Sequence, residues 1–183
     1  MLSIKLLKVE SRKLKREILF TSDTVQQRVR EMAGEITADY EGEEPILIGV
    51  LNGVIFFFAD LVRSIAIPTK IDFIRASSYG SGTVSKGEIS LTKDVEIQVE
   101  GEHVIIVEDI VDTGLTLNRI VDHLEEKGAK SCRICALIDK SERRKKEVSV
   151  DYCGFKLEGG FVVGYGLDYG ERYRYLSDIC VLK

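Results

Sequence analysis

Short apolar runs that alternate with helical patterns constrain the fold of this chain more than any other feature. Residues 46–51 and 104–107 are continuous runs of Ile, Leu, Val and Gly. Such runs are typical of buried parallel strands, because both faces of their sheet are covered. Further strands are predicted at 70–76, 133–139 and 161–165, the last in the chain, and amphipathic helices at 25–40, 56–62 and 117–124. The alternation predicts an α/β fold with a mainly parallel central sheet flanked by helices.

Length and composition predict a single domain over residues 1–183. The chain of 183 residues is 44% hydrophobic, which is enough to build a core, and 31% charged. The sequence contains no internal repeats, and no linker divides it into two segments of different composition. Segment 77–89 is rich in Ser and Gly and poor in apolar residues. We therefore expect a mobile, exposed loop there, of the kind that often carries function.

Charge and hydropathy exclude some classes of partner. The formal net charge is −4 and the isoelectric point about 5.4, which argues against a nucleic-acid-binding surface. The most apolar stretch, 46–62, is interrupted by Asn52, Gly53 and Asp60, so it does not read as a membrane span. Residues 1–20 show no targeting signal, and the four cysteines fit reduced thiols. We expect a cytoplasmic protein with neither nucleic acid nor a membrane as partner.

The segment 108–116 has the composition of a binding loop. It begins where the strand at 104–107 ends and finishes where a helix begins. Gly114 lets the backbone approach a ligand closely, Thr113 and Thr116 bring hydroxyl donors, and the helix N-terminus favours an anion such as phosphate. The segment also contains three carboxylates, Glu108, Asp109 and Asp112. Carboxylates beside an anion repel it unless they face hydroxyl groups, a bound cation or a proton to be transferred. A phosphorylated sugar meets all three conditions.

Residues 104–117 resemble the phosphoribosyl-pyrophosphate motif of type I phosphoribosyltransferases: an apolar strand, two acids, two apolar residues, then Asp-Thr-Gly. The resemblance implies that Glu108 and Asp109 contact the ribose hydroxyls and Mg²⁺. It also implies a loop around the 5′-phosphate, formed by Asp112, Thr113, Gly114, Leu115 and Thr116. Asp112 would lie near N7 of a purine and act as the catalytic general base in synthesis and as the acid in reverse.

Other segments resemble the hypoxanthine-guanine branch of that family. Leu51, Asn52 and Gly53 resemble the pyrophosphate loop, and Ser78-Tyr79-Gly80 resembles a flexible loop that closes over pyrophosphate. Lys140 stands where the family places a lysine that hydrogen-bonds the purine 6-oxo group. Residues 161–169 match the family's late signature. The roles that this signature implies are base stacking for Phe161, reading of the base edge by the backbone of Val162, metal and purine contacts for Asp168, and pyrophosphate binding for Arg174.

The resemblance implies a fold and a reaction as well as residues. The fold is that of type I phosphoribosyltransferases, with a small hood from the chain termini over the sheet. The reaction is transfer of 5-phosphoribosyl from phosphoribosyl pyrophosphate to hypoxanthine or guanine, giving IMP or GMP and pyrophosphate, with Mg²⁺ as cofactor. Relatives form dimers or tetramers, so the resemblance implies a homodimer or homotetramer.

Two residues depart from the family pattern, and two other functions stay open. Many family members carry a basic residue where this chain has Asn52, and Leu115 replaces a residue that is often polar or basic. In the family the peptide entering position 52 can be cis, which the sequence does not show. One alternative is a regulator that keeps the donor site but binds RNA or DNA. The other is an enzyme for xanthine, adenine or a pyrimidine, although Lys140 disfavours adenine.

Two further motifs favour structural interpretations. Cys132 and Cys135 form a Cys-x-x-Cys pair, but on a strand their thiols would point to opposite faces, so we predict packing residues rather than metal ligands. The basic run at 143–146 could attract phosphate or RNA. We predict a solvated loop there instead.

Overall fold

The computed structural model describes residues 15–78 and 89–183. The elements are β1 (Arg16–Phe20), α1 (Ser22–Asp39), β2 (Ile46–Val50), α2 (Ile55–Ser64), β3 (Lys70–Ser78), β4 (Ile89–Lys93), β5 (His103–Val111), α3 (Leu115–Glu126), β6 (Ser131–Lys140), β7 (Tyr152–Leu157), β8 (Phe161–Val163) and β9 (Ile179–Leu182). Across these ranges, no helix is long and apolar enough to cross a membrane.

The main sheet has six strands in the order β4-β3-β2-β5-β6-β7. All neighbours pair in parallel except β3 and β4, which are antiparallel. Side chains on the central strands alternate between two cores. Leu47, Ile105 and Leu137 pack with α1 and α2 on one face, whereas their neighbours Ile48, Ile106 and Ala136 pack with α3 on the other. The predicted mainly parallel sheet covered on both faces is thereby confirmed.

The cysteine pair follows the same alternation. Cys135 is buried with the residues of α1 and α2, while Cys132 packs on the face covered by α3. The two thiols therefore point to opposite faces of β6, as predicted for packing residues.

A second, three-stranded sheet in the order β1-β9-β8 joins the two ends of the described chain. Both pairings are antiparallel, and Leu182 of β9 lies opposite Arg16 of β1 and opposite Phe161 of β8. This sheet corresponds to the implied hood. The prediction that 161–165 is the last strand was wrong, because β8 ends at Val163 and β9 follows it. Apolar periodicity missed β1 and β9, since each depends for its pairing on a partner far away in the sequence.

The two ends of the segment predicted as a loop at 77–89 belong to strands. β3 extends to Ser78 and β4 begins at Ile89, with Ser77 opposite Ser90 in the antiparallel ladder. The remaining predicted loop residues, Tyr79 among them, lie outside the described residues.

The β3 residue Asp72 links the main sheet to the connection after β4. Its carboxylate accepts hydrogen bonds from the backbone N–H groups of Glu96 at 2.6 Å, Phe73 at 2.7 Å and Ile97 at 3.0 Å, and its side chain is 11% exposed. Burial alone would raise the pKa of Asp72, but these three hydrogen bonds and the Lys93 charge hold the pKa below its usual value. The ionised carboxylate thus stabilises the fold.

We expect Asp72→Ala to lower the free energy of unfolding by about 2 kcal/mol at pH 7, since hydrogen bonds to a charged acceptor are lost. Because the folded pKa is depressed, this contribution is complete above the unfolded pKa of about 3.9 and disappears as the pH falls through the folded pKa. Urea unfolding at pH 7 and pH 3 measures both values. The control Asp122→Ala, at an exposed position of α3, should stay within about 0.5 kcal/mol of the parent. An equal loss for Asp72→Ala at both pH values would contradict the charge argument.

Candidate active site

The candidate site lies at the carboxyl edge of the main sheet, where three neighbouring parallel strands end. Asn52 and Gly53 follow β2, the segment 108–116 covers the end of β5 and the start of α3, and Lys140 ends β6. Carboxyl ends of adjacent parallel strands meet at one edge of a sheet, which is where open α/β folds bind ligands. The segment from β8 to Arg174 completes the site from the hood side.

Glu108 and Asp109 form a buried acidic pair on β5. Glu108 is 8% exposed, and its Oε1 accepts the Asp109 backbone N–H at 3.1 Å. Burial raises the pKa of Glu108 well above its usual value, and the Asp109 charge adds to this shift. Burial also raises the pKa of Asp109, although hydrogen bonds from Glu108 and Ile110 and the charge of Arg174 oppose it. Such a pair is suited to a ligand that brings hydroxyl donors or a cation.

A cavity of about 140 Å³ lies between the end of β5 and the first turn of α3. Gly114 is the N-cap residue with φ of 77° and has no side chain to cap the helix, and the Leu115 N–H donates to Thr113 Oγ1 at 3.4 Å. The predicted phosphate-loop residues Asp112, Thr113, Gly114 and Thr116 line the cavity, and Leu115 is the first residue of α3. Free N–H groups at a helix N-terminus attract anions. The geometry is therefore suited to a phosphate group.

A second cleft, of about 180 Å³, adjoins this cavity and shares Asp112 with it. Six of the predicted residues line the cleft: Asp109, Asp112, Lys140, Phe161, Val162 and Asp168. Phe161 is 48% exposed and meets Tyr169 edge to face at 5.2 Å between ring centroids, so its ring is available to a planar ligand. The Lys140 ammonium lies 3.5 Å from Glu142.

Asp112 has an unusual environment for a carboxylate. Its Oδ1 is buried and has no hydrogen-bond partner among the residues that the structure describes. A buried acceptor without a partner is costly. Asp112 lines both the cavity and the cleft, so its carboxylate is placed to accept a proton or a hydrogen bond from a ligand that spans both.

The predicted pyrophosphate residues lie opposite the acidic pair. The Leu51–Asn52 peptide bond is cis. A Cβ on Gly53 would lie 1.7 Å from Asp109 Oδ2 and 3.4 Å from Arg174, so the loop after β2 lies close against the Asp109 side chain. The Arg174 guanidinium donates to the Gly166 carbonyl at 2.7 Å and pairs with Asp168 at 2.9 Å. Arg174 thus places a cation beside the loop in which Asn52 supplies none.

Not every predicted site residue is described with its side chain. Ser78 ends β3 at the edge of the described region, and Tyr79 lies beyond it. The other predicted residues meet at the cleft, the cavity and the Gly53 loop. In the described parts of the chain, no cluster of three or more His, Cys, Asp or Glu side chains has the geometry of a metal site.

Sequence reasoning missed Arg144, which lies within the basic run at 143–146. Lys145 and Lys146 are exposed, as predicted for a solvated loop, whereas Arg143, although exposed, lines the second cleft. The Arg144 side chain is only 14% exposed and donates to the Asp112 carbonyl at 3.1 Å. The prediction was therefore wrong for this residue, because three charged neighbours hid one that folds inward.

Tyr165 is a second residue near the site that the sequence did not single out. Its backbone has φ of 50°, and its hydroxyl donates to Asp60 at 2.6 Å beside Gln26. Asp60 interrupts an apolar helical stretch, which is the one signal that could have revealed a buried polar contact. The network ties α1 and α2 to the segment that carries Asp168.

Comparisons with known proteins agree with this geometry. Residues 16–170 match the family model described as a phosphoribosyl transferase domain. The chain is 44% identical over 167 residues to a hypoxanthine-guanine phosphoribosyltransferase of Bacillus subtilis (strain 168), covering 91% of this chain and 93% of that protein. It is also 44% identical over 167 residues to the bifunctional protein TilS/HprT of Listeria monocytogenes serotype 4b (strain F2365). The match covers 91% of this chain, which spans 26% of the length of that relative.

Solved structures give a similar result. The crystal structure of a hypoxanthine-guanine phosphoribosyltransferase from Bacillus anthracis superposes with a TM-score of 0.88 at 43% sequence identity. The superposition covers 93% of this chain and 100% of the other.

Proposed function

This chain belongs to the phosphoribosyl transferase domain family, and from that premise we propose that it is a purine salvage enzyme. It transfers 5-phosphoribosyl from phosphoribosyl pyrophosphate to hypoxanthine or guanine and releases IMP or GMP and pyrophosphate. The observation that carries the proposal is the shared wall of the two pockets. A cavity suited to phosphate adjoins a cleft with a lysine and an exposed aromatic ring, and Asp112 faces both.

The cleft residues select the base. Phe161 stacks on one face of the purine, and Lys140 donates a hydrogen bond to the 6-oxo group. An amino group at that position is a hydrogen-bond donor, and it would face the Lys140 ammonium, which is also a donor. Adenine is therefore disfavoured. The backbone of Val162 reads the edge of the ring. The proximity of Lys140, Phe161 and Val162 in one cleft supports these roles.

The acidic pair binds the sugar. The carboxyl oxygens of Glu108 and Asp109 accept hydrogen bonds from the two ribose hydroxyls. Mg²⁺ fits this donor set, because two buried carboxylates with raised pKa values are stabilised by a hard cation and oxygen is its preferred ligand. Asp168 is the third carboxylate that would serve the metal. When bound, Mg²⁺ neutralises charge on the pyrophosphate.

The chain acts mainly by positioning and electrostatics. A purine ring nitrogen bonds to C1 of the ribose while the bond from C1 to pyrophosphate breaks, and Asp112 accepts the proton that leaves N7. Arg174 stabilises the charge that gathers on the leaving pyrophosphate, and the N-terminus of α3 holds the 5′-phosphate. No covalent nucleophile takes part.

We also propose a homodimer or homotetramer in the cytoplasm, without nucleic acid or a membrane as partner. Ile55 and Phe56 at the start of α2 are 49% and 45% exposed, and adjacent exposed apolar side chains favour self-association. Size-exclusion chromatography with light scattering gives the mass, and a monomer at all concentrations would contradict this assignment.

The function is tested by nucleotide formation from phosphoribosyl pyrophosphate and Mg²⁺ with hypoxanthine, guanine, xanthine, adenine and uracil offered separately. We expect product with the 6-oxopurines. Product with adenine or uracil alone would overturn the base assignment. Donor binding without product from any base would favour the regulator that binds nucleic acid.

The double variant Glu108→Gln/Asp109→Asn tests the ribose assignment. We expect the KM for phosphoribosyl pyrophosphate to rise by about 10- to 100-fold, since two charged acceptors of ribose hydroxyls become neutral. Initial rates at saturating hypoxanthine measure it. The matched control Glu125→Gln/Glu126→Gln neutralises two adjacent exposed acids of α3 and should leave the KM unchanged. A normal donor KM in the first variant would refute the assignment.

A further inference from the structure

The guanidinium of Arg144 joins the ends of the two strands that carry the proposed general base and the base-selecting lysine. At the end of β5 it donates to the carbonyls of Asp112 at 3.1 Å and Val111 at 3.3 Å. At the end of β6 it donates to the Lys140 carbonyl at 3.4 Å and pairs with the Asp139 carboxylate. One side chain therefore contacts the main chain on both sides of the cleft.

The backbone next to Arg144 packs on the phosphate loop. The N–H groups of Lys145 and Lys146 both donate to the Thr113 carbonyl, at 2.9 and 3.1 Å. A Cβ on Gly114 would lie 2.4 Å from the Lys146 carbonyl oxygen. The Arg144 guanidinium also donates to the Val148 carbonyl at 3.4 Å, which closes its own segment around it. The segment thus packs against the loop without lining the ligand cavity.

We propose that Arg144 is a positioning residue that sets Asp112 and the phosphate loop relative to Lys140. This inference rests on the proposed function. A guanidinium presents five N–H donors in a rigid plane, which suits it to hold several carbonyls at once. Arg144 does not line the cleft or the cavity, so it acts through the backbone of Asp112 rather than on the substrate.

A lysine at position 144 cannot make the same set of hydrogen bonds. An ammonium on a flexible stem keeps the charge that faces Asp139 but cannot follow the fixed fork that reaches both strand ends. Arg144→Lys therefore preserves most of the ion pair while releasing the carbonyls of Asp112 and Val111. A displacement of a reacting group by about 1 Å lowers the rate on the order of 100-fold.

The test compares Arg144→Lys with the matched control Arg133→Lys. Arg133 lies at the opposite end of β6, where its guanidinium donates hydrogen bonds to Asp39 at 2.6 Å and to the Tyr152 hydroxyl at 2.7 Å. For Arg144→Lys we expect kcat/KM for the donor about 100-fold lower, with a raised donor KM and GMP binding about 10-fold weaker by calorimetry. Arg133→Lys should keep all three values within about threefold of the parent.

A purely structural role for Arg144 would lower the melting temperature and the active fraction but leave the donor KM and GMP affinity unchanged, and that result overturns the proposal. If Arg144→Lys does not fold, Asp139→Asn keeps the arginine but removes the carboxylate that orients it. An unchanged donor KM and GMP affinity in that variant also overturn the proposal. The parent is assayed first, because an inactive parent refutes the enzyme function itself rather than the role of Arg144.

Discussion

Replacing Asp112 by asparagine is expected to lower kcat by about 10²- to 10⁴-fold, the usual contribution of a general base. Asparagine keeps the size of the side chain but cannot accept the proton from N7. Asp112 Oδ1 is buried with no hydrogen-bond partner among the described residues, and Asp112 lines both the cavity and the cleft. Steady-state rates with hypoxanthine measure kcat, and the KM for phosphoribosyl pyrophosphate should stay close to the parent value.

The control for this variant is Asp122→Asn, which makes the same change at an exposed position of α3. It should leave both constants unchanged. Full turnover in Asp112→Asn would remove Asp112 as the base. A large rise in donor KM with normal kcat would instead assign Asp112 to binding alone.

Gly53→Ala is expected to lower kcat/KM for the donor by about 100-fold, because a reacting group displaced by about 1 Å costs that much. The added methyl group would lie 1.7 Å from Asp109 Oδ2 and 2.8 Å from Asp109 Cγ. Neither distance is compatible with van der Waals contact, so the loop or the Asp109 side chain must move. Steady-state kinetics of the variant and the parent, each measured with varied donor concentration, give the change in kcat/KM that reports the displacement.

Gly34→Ala is the matched control for Gly53→Ala. It lies within α1, and an added Cβ meets nothing within 4 Å. We expect unchanged kinetics and a fold more stable by about 0.5–1 kcal/mol, since alanine loses less conformational freedom in a helix. If Gly53→Ala kept the kinetic constants of the parent, the close approach of Gly53 to Asp109 would have no role in donor binding.

The central strands could be predicted because their evidence is local. β2, β5 and β6 are buried on both faces, so their sequences are continuous apolar runs. The outer strands β4 and β7 and the hood strand β1 carry no such run, and the sequence analysis did not assign the short apolar run of β9 to a strand. β1 is exposed along most of its length, and it becomes a strand through pairing with β9, more than 150 residues away. No window of sequence contains both partners.

The same difference between local and distant evidence applies to the residues of the candidate site. Glu108 to Thr116 are contiguous, so strand, acids, hydroxyls and glycine could be interpreted together from the sequence. Lys140, Phe161, Asp168 and Arg174 were placed by resemblance alone. Their convergence on the cleft and the Gly53 loop depends on β2, β5 and β6 being neighbours in the sheet and on the hood crossing their ends.

The sequence by itself determined the alternation of strand and helix, the parallel sheet and the chemistry of segment 108–116. These follow from periodicity and composition over short windows. Only the tertiary structure decided that Arg144 turns inward from a basic run to hold the ends of β5 and β6, and that Gly53 meets Asp109. Such contacts join residues far apart in the chain, and the topology of the whole sheet determines which of them come within bonding distance.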